Sequence, residues 1–312
     1  MNEPDPKEVL REYEAMRRRH DAAEALNALN LEEGNRYWEQ QSPLERRIGW
    51  RAAGCPRFLY KYRGPVDSDE GARRAADLLL RHQLWLADAS KYEDPQDSRI
   101  DYRITLSGEA LRSEMASYMR RMTRSSRFQA ERMLSDSTIS DPSALMAYMN
   151  ANAELILRRW GICSLAANAR SERMWWEYSQ RHQGLCFQFH PAADLRAFVL
   201  TQPITYSDEE RVIENRLFGD ELIRRRLDLL NTKRTKYSFE DEWRIISPGQ
   251  ANVPHVFKPE ALTAVIMGAQ AKSSESLVAQ LLEERHRRTG LVLPVYQVRH
   301  DDSTIRIDRV TL

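Results

Sequence analysis

The sequence predicts an α+β fold: a mixed or mainly antiparallel sheet decorated with helices, preceded by a helical N-terminal arm. Three observations carry this. The apolar runs with a two-residue period are short and scattered along the chain. The helical stretches between them are of unequal length, so the regular βαβ alternation of a doubly wound sheet is missing. No internal repeat and no low-complexity linker divides the chain, which predicts an arm over residues 1–50 and one α+β domain over 51–312.

The arm begins with a helix signal: Asp5 can cap, Pro6 suits the first helical position and Glu8 completes a capping box. Its apolar stripe of Val9, Leu10, Tyr13 and Met16 is partial, as in an accessory element docked on the main domain or on a protein partner. In "RFLYKYRG", Phe58, Tyr60 and Tyr62 alternate with Leu59, Lys61 and Arg63, which predicts a strand with two different faces. A helix over "EGARRAADLLLRH" and a strand at "LWLAD" follow, then the irregular "ASKYEDPQDSR", where Asp94-Pro95 disfavours helix. Residues 106–160 read as a helical insertion that Gly161 can end. Next come a strand "GICSLA", a short helix "ERMWWEYSQRHQG" ended by Gly184, and strands "LCFQFH" and "ITYSD". Ser207 and Glu210 form a capping box for a long basic helix reaching about Lys236. Strands "EWRIIS", "AVIMGA" and "LPVYQVRH" follow, with a helix from about Ser274 to Arg288 before the last, and "TIRIDRV" closes the chain.

Bulk properties exclude several classes. With 30% charged and 42% hydrophobic residues and a net charge of +1, the chain has the composition of a soluble globular protein without a global basic field for nucleic acid. The charged N-terminus lacks a signal-peptide core, and no apolar run approaches the roughly 18 residues that span a bilayer, so no membrane association is expected. Cys55, Cys163 and Cys186 form no CxxC pair, which argues against a structural zinc site and suits a reducing cytoplasm. The P-loop, Rossmann, H-E-x-x-H and G-x-S-x-G signatures are all missing.

Four stretches carry candidate chemistry. Lys61 and Arg63 share one face of the "LYKYR" strand and suit a phosphate or carboxylate, although a solvated basic face has the same pattern. Glu93, Asp94 and Asp97 crowd an irregular segment that can bind a hard cation or simply form a turn. Trp175, Tyr178 and His182, at i, i+3 and i+7 of a helix, share a face that can wall a flat ring or pack in a core. In "YSFEDEWRII", Trp243 and Ile245 point one way, while Glu242, Arg244 and Ile246 point the other. Glu242 and Arg244 thus form either a surface ion pair or the edge of a ligand site.

The order of these stretches, "LYKYR", "LWLADASKYEDPQD", "GICSLAANARSERMWWEYSQRHQGLCFQF", "YSFEDEWRII" and "AVIMG", resembles a bacterial family known only as domain of unknown function 2971. The resemblance covers residues 58 to about 300 and leaves out the arm. Tyr92 and Glu93 stand where the family usually has Phe-Asn, Gln96 replaces an aromatic, and Trp176 replaces a small polar residue. The layout also resembles that of ADP-ribosyltransferases. That second resemblance implies a split, mainly antiparallel sheet and NAD as substrate. It places Arg63 on the adenosine-phosphate side and Tyr178 and His182 around nicotinamide, and the strand and helix faces read above add Lys61 and Trp175 beside them. Glu242 becomes the catalytic carboxylate, with Arg244 beside it, and no metal ligand is assigned. The acceptor, whether a macromolecule or water, is left open, and a role in bacterial conflict or phage defence follows from the company such families keep. Two other classes remain. A metal-dependent nuclease would use Glu93, Asp94 and Asp97 with a basic helix containing Arg224, Arg225, Arg226, Lys233, Arg234 and Lys236. A noncatalytic sensor would rely on the helical arm.

Overall fold

Alternation decides the first strand. In β1 (Leu59–Arg63), Leu59 enters the main core on one face, while Tyr60 and Tyr62 pack into a separate apolar cluster on the other. Lys61 and Arg63 therefore share the face of Leu59. Helix α1 (Asp69–Leu79) covers that face: Ser68 caps it by accepting from the Gly71 amide at 3.1 Å, and Ala75, Leu78 and Leu79 are its buried residues.

The computed structural model describes residues 42, 45–46, 50–51, 54–92, 97, 101–123, scattered positions from 126 to 155, 157–214, 220–301 and 304–312. Nearly all of the predicted arm, and Glu93 and Asp94, lie outside the described residues. Trp50, at the end of that arm, is fully buried in the main core, where its indole N–H donates to the Pro56 carbonyl at 2.9 Å. Of the predicted helical insertion over 106–160, one long helix is described, α2 (Gly108–Thr123).

After α1 come β2 (Gln83–Asp88), β3 (Asp101–Arg103), α2, β4 (Gly161–Ala166), α3 (Glu172–Tyr178) and β5 (Leu185–Phe189). Then follow α4 (Leu195–Phe198), β6 (Thr201–Pro203), β7 (Thr205–Tyr206), β8 (Val212–Glu214), α5 (Asp220–Leu230) and β9 (Thr232–Lys233). A 3-10 turn, Thr235–Glu240, leads into β10 (Glu242–Ser247), β11 (Val253–Val256) and β12 (Leu262–Met267). Helix α6 (Glu275–Thr289), β13 (Val295–Asp301) and β14 (Thr304–Val310) complete the chain.

Among the described residues, ten strands form one sheet in the order β11-β2-β4-β1-β5-β12-β13-β14, with β10 pairing β4 and β6 beside that path. β12 and β13 run parallel, joined by the crossover helix α6, and the other ladders of this sheet are antiparallel. The fold is α+β with a mixed, mostly antiparallel sheet.

The sheet divides at β4. Along one edge all of β4 pairs with β10, from Glu242 opposite Ala166 to Ser247 opposite Gly161. Along the other edge, Gly161 and Ile162 pair with β2, and Ala166 pairs with β1. Between them, Cys163, Ser164 and Leu165 have no strand partner on that edge among the described residues. Buried backbone groups need partners, and the Lys61 ammonium supplies one by donating to the Ser164 carbonyl.

Two predicted elements differ from those observed. The long basic helix from Ser207 to Lys236 is instead β8, α5, β9 and a 3-10 turn, so Lys233, Arg234 and Lys236 lie outside any α-helix. Tertiary pairing overrides the local pattern here: β8 joins β3, and β9 joins β7. Strand β11, "VPHV", escapes the apolar pattern because it is an exposed edge strand, where Pro254 is tolerated.

Candidate functional site

A cleft lies at the division of the sheet. Two adjoining cavities, of about 790 and 580 Å³, share Lys61, Arg63, Arg74, Tyr92 and Ser164 in their walls. The larger also reaches Tyr178, Lys233, Tyr237, Glu240 and Glu242, so its two ends carry opposite charge.

The acidic end is built from a kink. Asp241 takes a left-handed conformation (φ 45°) between the 3-10 turn and β10. Glu240 and Glu242, on either side of it, both accept from the buried Lys233 ammonium, at 2.5 and 3.1 Å. Two residues along β10, Arg244 shares the face of Glu242, and its Nε donates to Glu242 Oε1 at 2.7 Å. The same guanidinium donates to Asp97 at 2.8 Å and to the Leu230 carbonyl at 2.8 Å. Tyr178 donates its hydroxyl proton to Glu240 at 2.5 Å, and the Glu242 amide donates to the Tyr206 hydroxyl at 2.8 Å.

Lys233, Glu240, Glu242 and Arg244 are all buried, so these pairings are obligatory: an ion left alone there would forfeit its solvation without return. The two carboxyls are pushed in opposite directions. Burial raises the Glu242 pKa, but Arg244 and Lys233 outweigh it and hold the carboxyl at about 2. Burial raises Glu240, which has Lys233 as its shared cation and Glu242 as a like-charged neighbour, above the usual carboxylate range.

The basic end differs. Burial lowers the pKa of both Lys61 and Arg63, and the Arg63 Nε is buried without a hydrogen-bond partner among the described residues. Among the described residues, Arg74 on α1 pairs across its own helix surface, with Glu70. A desolvated guanidinium with an open donor favours an anion that offers planar, bidentate oxygens.

Of the predicted site residues, Lys61, Arg63, Tyr178 and Glu242 line this one cleft. Trp175, His182 and Arg244 do not have the predicted placement. Trp175 is fully buried, edge-on to Tyr62 at 5.1 Å, with its indole N–H on the Ala169 carbonyl at 2.8 Å. Helix α3 ends at Tyr178, six residues before Gly184, and Gln180, Arg181 and His182 all have positive φ (48°, 56° and 65°). His182 therefore leaves the helical face of Trp175 and Tyr178 and stacks on the far side of the Trp175 ring, with centroids 6.1 Å apart. Arg244 is 1% exposed and directs its donors at protein acceptors, so it positions Glu242 and is not free to grip a ligand.

The motif reading missed Glu240, Arg74 and the true role of Lys233. Glu240 was legible as the other glutamate of "FEDEW"; the φ reversal at Asp241, which aims both carboxylates at one lysine, was not. The sequence places Lys233 on the basic helix, whereas in the structure it is the counter-ion of the acidic pair. Asp97, assigned to a cation-binding loop, faces Arg244 and, at 3.7 Å, Lys233. Its expected companions Glu93 and Asp94 lie outside the described residues.

The chain matches no protein-family model, no curated protein and no solved structure. Among the described residues, no helix is long and apolar enough to cross a membrane.

Proposed function

We propose that this protein consumes NAD, as an ADP-ribosyltransferase-like enzyme or an NAD glycohydrolase. The observation that carries the reading is the polarity of the cleft: Arg63, Lys61 and Arg74 stand at one end, and the Glu240–Glu242 pair with Tyr178 at the other. A dinucleotide has matching polarity, with an anionic pyrophosphate and a cationic nicotinamide ribosyl group. Breaking the nicotinamide glycosidic bond develops positive charge on the ribose, and a fixed carboxylate stabilises that charge more in the transition state than in the ground state. Glu242, held ionised by Arg244 and Lys233, supplies the fixed charge. Tyr178 walls the nicotinamide side and hydrogen-bonds Glu240. The basic end orients the pyrophosphate, and orientation is the rest of what such a reaction asks of the protein. Transfer to water gives a glycohydrolase; transfer to a macromolecule gives a transferase. Either activity would suit a role in bacterial conflict or phage defence.

The test is nicotinamide release from NAD by the purified protein, with Arg63→Ala and Glu242→Gln beside it and circular dichroism as the folding control. Release that falls at least tenfold in folded Arg63→Ala and in Glu242→Gln supports the reading. No release, together with no binding of NAD or ADP-ribose by calorimetry, removes it.

A further inference from the structure

A second cluster lies behind α3, away from the cleft. Glu172 in the first turn of α3, His182 in the left-handed turn and His300 on β13 each offer one ligand atom, and these atoms lie within 4.8 Å of one another. His182 Nε2 is 2.8 Å from Glu172 Oε1, His300 Nδ1 is 3.6 Å from Glu172 Oε2, and the two imidazoles meet edge-on with centroids 4.8 Å apart. From these groups we infer a binding site for a zinc-class divalent transition metal, held by two imidazoles and one carboxylate.

The geometry is close to what the ion needs. Metal–donor bonds of roughly 2.0–2.1 Å in tetrahedral arrangement set donor atoms about 3.3 Å apart. The separations from Glu172, one to each of its oxygens, are 2.8 and 3.6 Å and lie on either side of that value, and the remaining side of the triangle, within 4.8 Å, closes as the exposed side chains turn. Glu172 and His300 are 58% and 48% exposed, so their rotamers adjust without disturbing the core. His182 is the fixed member. It is 3% exposed, and Glu172 is its ring's sole hydrogen-bond partner among the described residues, since its Nδ1 has none. Coordination therefore displaces one hydrogen bond, to a carboxylate that turns to the same ion.

The fold also fixes His182 by its backbone. Its amide donates to the Trp175 carbonyl at 3.1 Å, and its carbonyl accepts from the Gln270 amide at 3.0 Å. A Cβ at position 268 would come within 2.1 Å of the His182 carbonyl oxygen, so only glycine lets β12 close on this turn. Two imidazoles with one carboxylate, and room for water at the fourth position, suit zinc and its neighbours in the first row; magnesium and calcium prefer all-oxygen sites.

The bound ion would join α3, the left-handed turn and β13. Later residues of α3, namely Met174, Glu177 and Tyr178, line the cleft, so the ion braces one cleft wall. The inference does not depend on what the cleft binds.

The experiment uses tag-free, metal-stripped full-length protein. Zinc chloride is titrated calorimetrically and by thermal shift, and cobalt(II) is followed by its visible absorption, for wild type, His300→Ala and Glu172→Gln. The expected result is one saturable equivalent of zinc, a raised Tm and a tetrahedral cobalt spectrum, with affinity at least tenfold weaker in each variant. Both variants change exposed side chains, so their metal-free Tm should match that of wild type. Magnesium should give no shift. Absence of saturable zinc binding, or binding that persists unchanged in both variants, overturns the site.

Discussion

The two ends of the cleft handle charge differently. At the acidic end, Lys233, Arg244, Glu240, Glu242 and Asp97 satisfy one another below the surface. At the basic end, Arg63 is desolvated and its Nε has no partner among the described residues. Three carboxylates face two cations in the first set, so it retains excess negative charge while remaining structurally committed. The contrast teaches that substitutions at the acidic end should be read first as stability changes, whereas those at the basic end should be read first as binding changes.

Arg244→Ala should break the contrast most severely. It leaves Lys233 as the remaining cation of the cluster facing Glu240, Glu242 and Asp97 among the described residues, and urea denaturation should show a loss of about 3–5 kcal/mol, typical of removing one partner of a buried ion pair. A loss below about 1 kcal/mol would mean that the cluster behaves like a surface salt bridge.

Acid should act through the same cluster. The Glu242 carboxyl is lowered from 4.5 to about 2 on folding, so its contribution is complete above pH 4.5 and is lost as the pH falls towards 2. The loss over that window should be roughly 3 kcal/mol. Glu240, whose carboxyl is raised, acts in the opposite sense: its contribution is complete at low pH and is lost as the pH rises through its folded pKa. Urea midpoints measured across this range should fall steeply in wild type and more shallowly in Glu242→Gln. Parallel curves would take Glu242 out of the acid response.

At the basic end, Arg63→Ala should weaken ADP-ribose binding at least tenfold in calorimetry while changing stability by less than about 1 kcal/mol, because the guanidinium gives up solvation without gaining an ion pair among the described residues. Unchanged affinity would remove the basic end from ligand binding. The smallest effect should come from Tyr178→Phe, which deletes the hydroxyl bond to Glu240 at a residue 43% exposed. About 1 kcal/mol of stability should disappear. An unchanged midpoint would show that solvent replaces this bond.

Much of the strand framework was legible from the chain, because period-two patterns report which face is buried. β1 places Tyr60 and Tyr62 opposite Lys61 and Arg63, and β10 sends Ile245 to the main core while Glu242 and Arg244 share the other face. The helical reading of "MWWEYSQRHQG" failed at its end. Spacing assumes that the helix continues to Gly184, but three successive left-handed residues turn His182 behind Trp175. No local pattern announces that turn; it is held by contacts with Gly268 and Gln270 from the distant loop that follows β12.

The sequence by itself determined the α+β class, the two faces of β1 and β10, and the presence of Arg63, Tyr178 and Glu242 as chemically able groups. Tertiary structure alone decided that these three share a cleft, that Lys233 and Arg244 pair with the acids, and that Glu172, His182 and His300 meet. Residue type and period set what a side chain can do and which way it points within its own element. Which groups stand within a few ångströms of each other depends on strand pairing across long stretches of chain. Here the division of the sheet at β4 opens the cleft, and the crossover from β12 to β13 brings His300 beside α3.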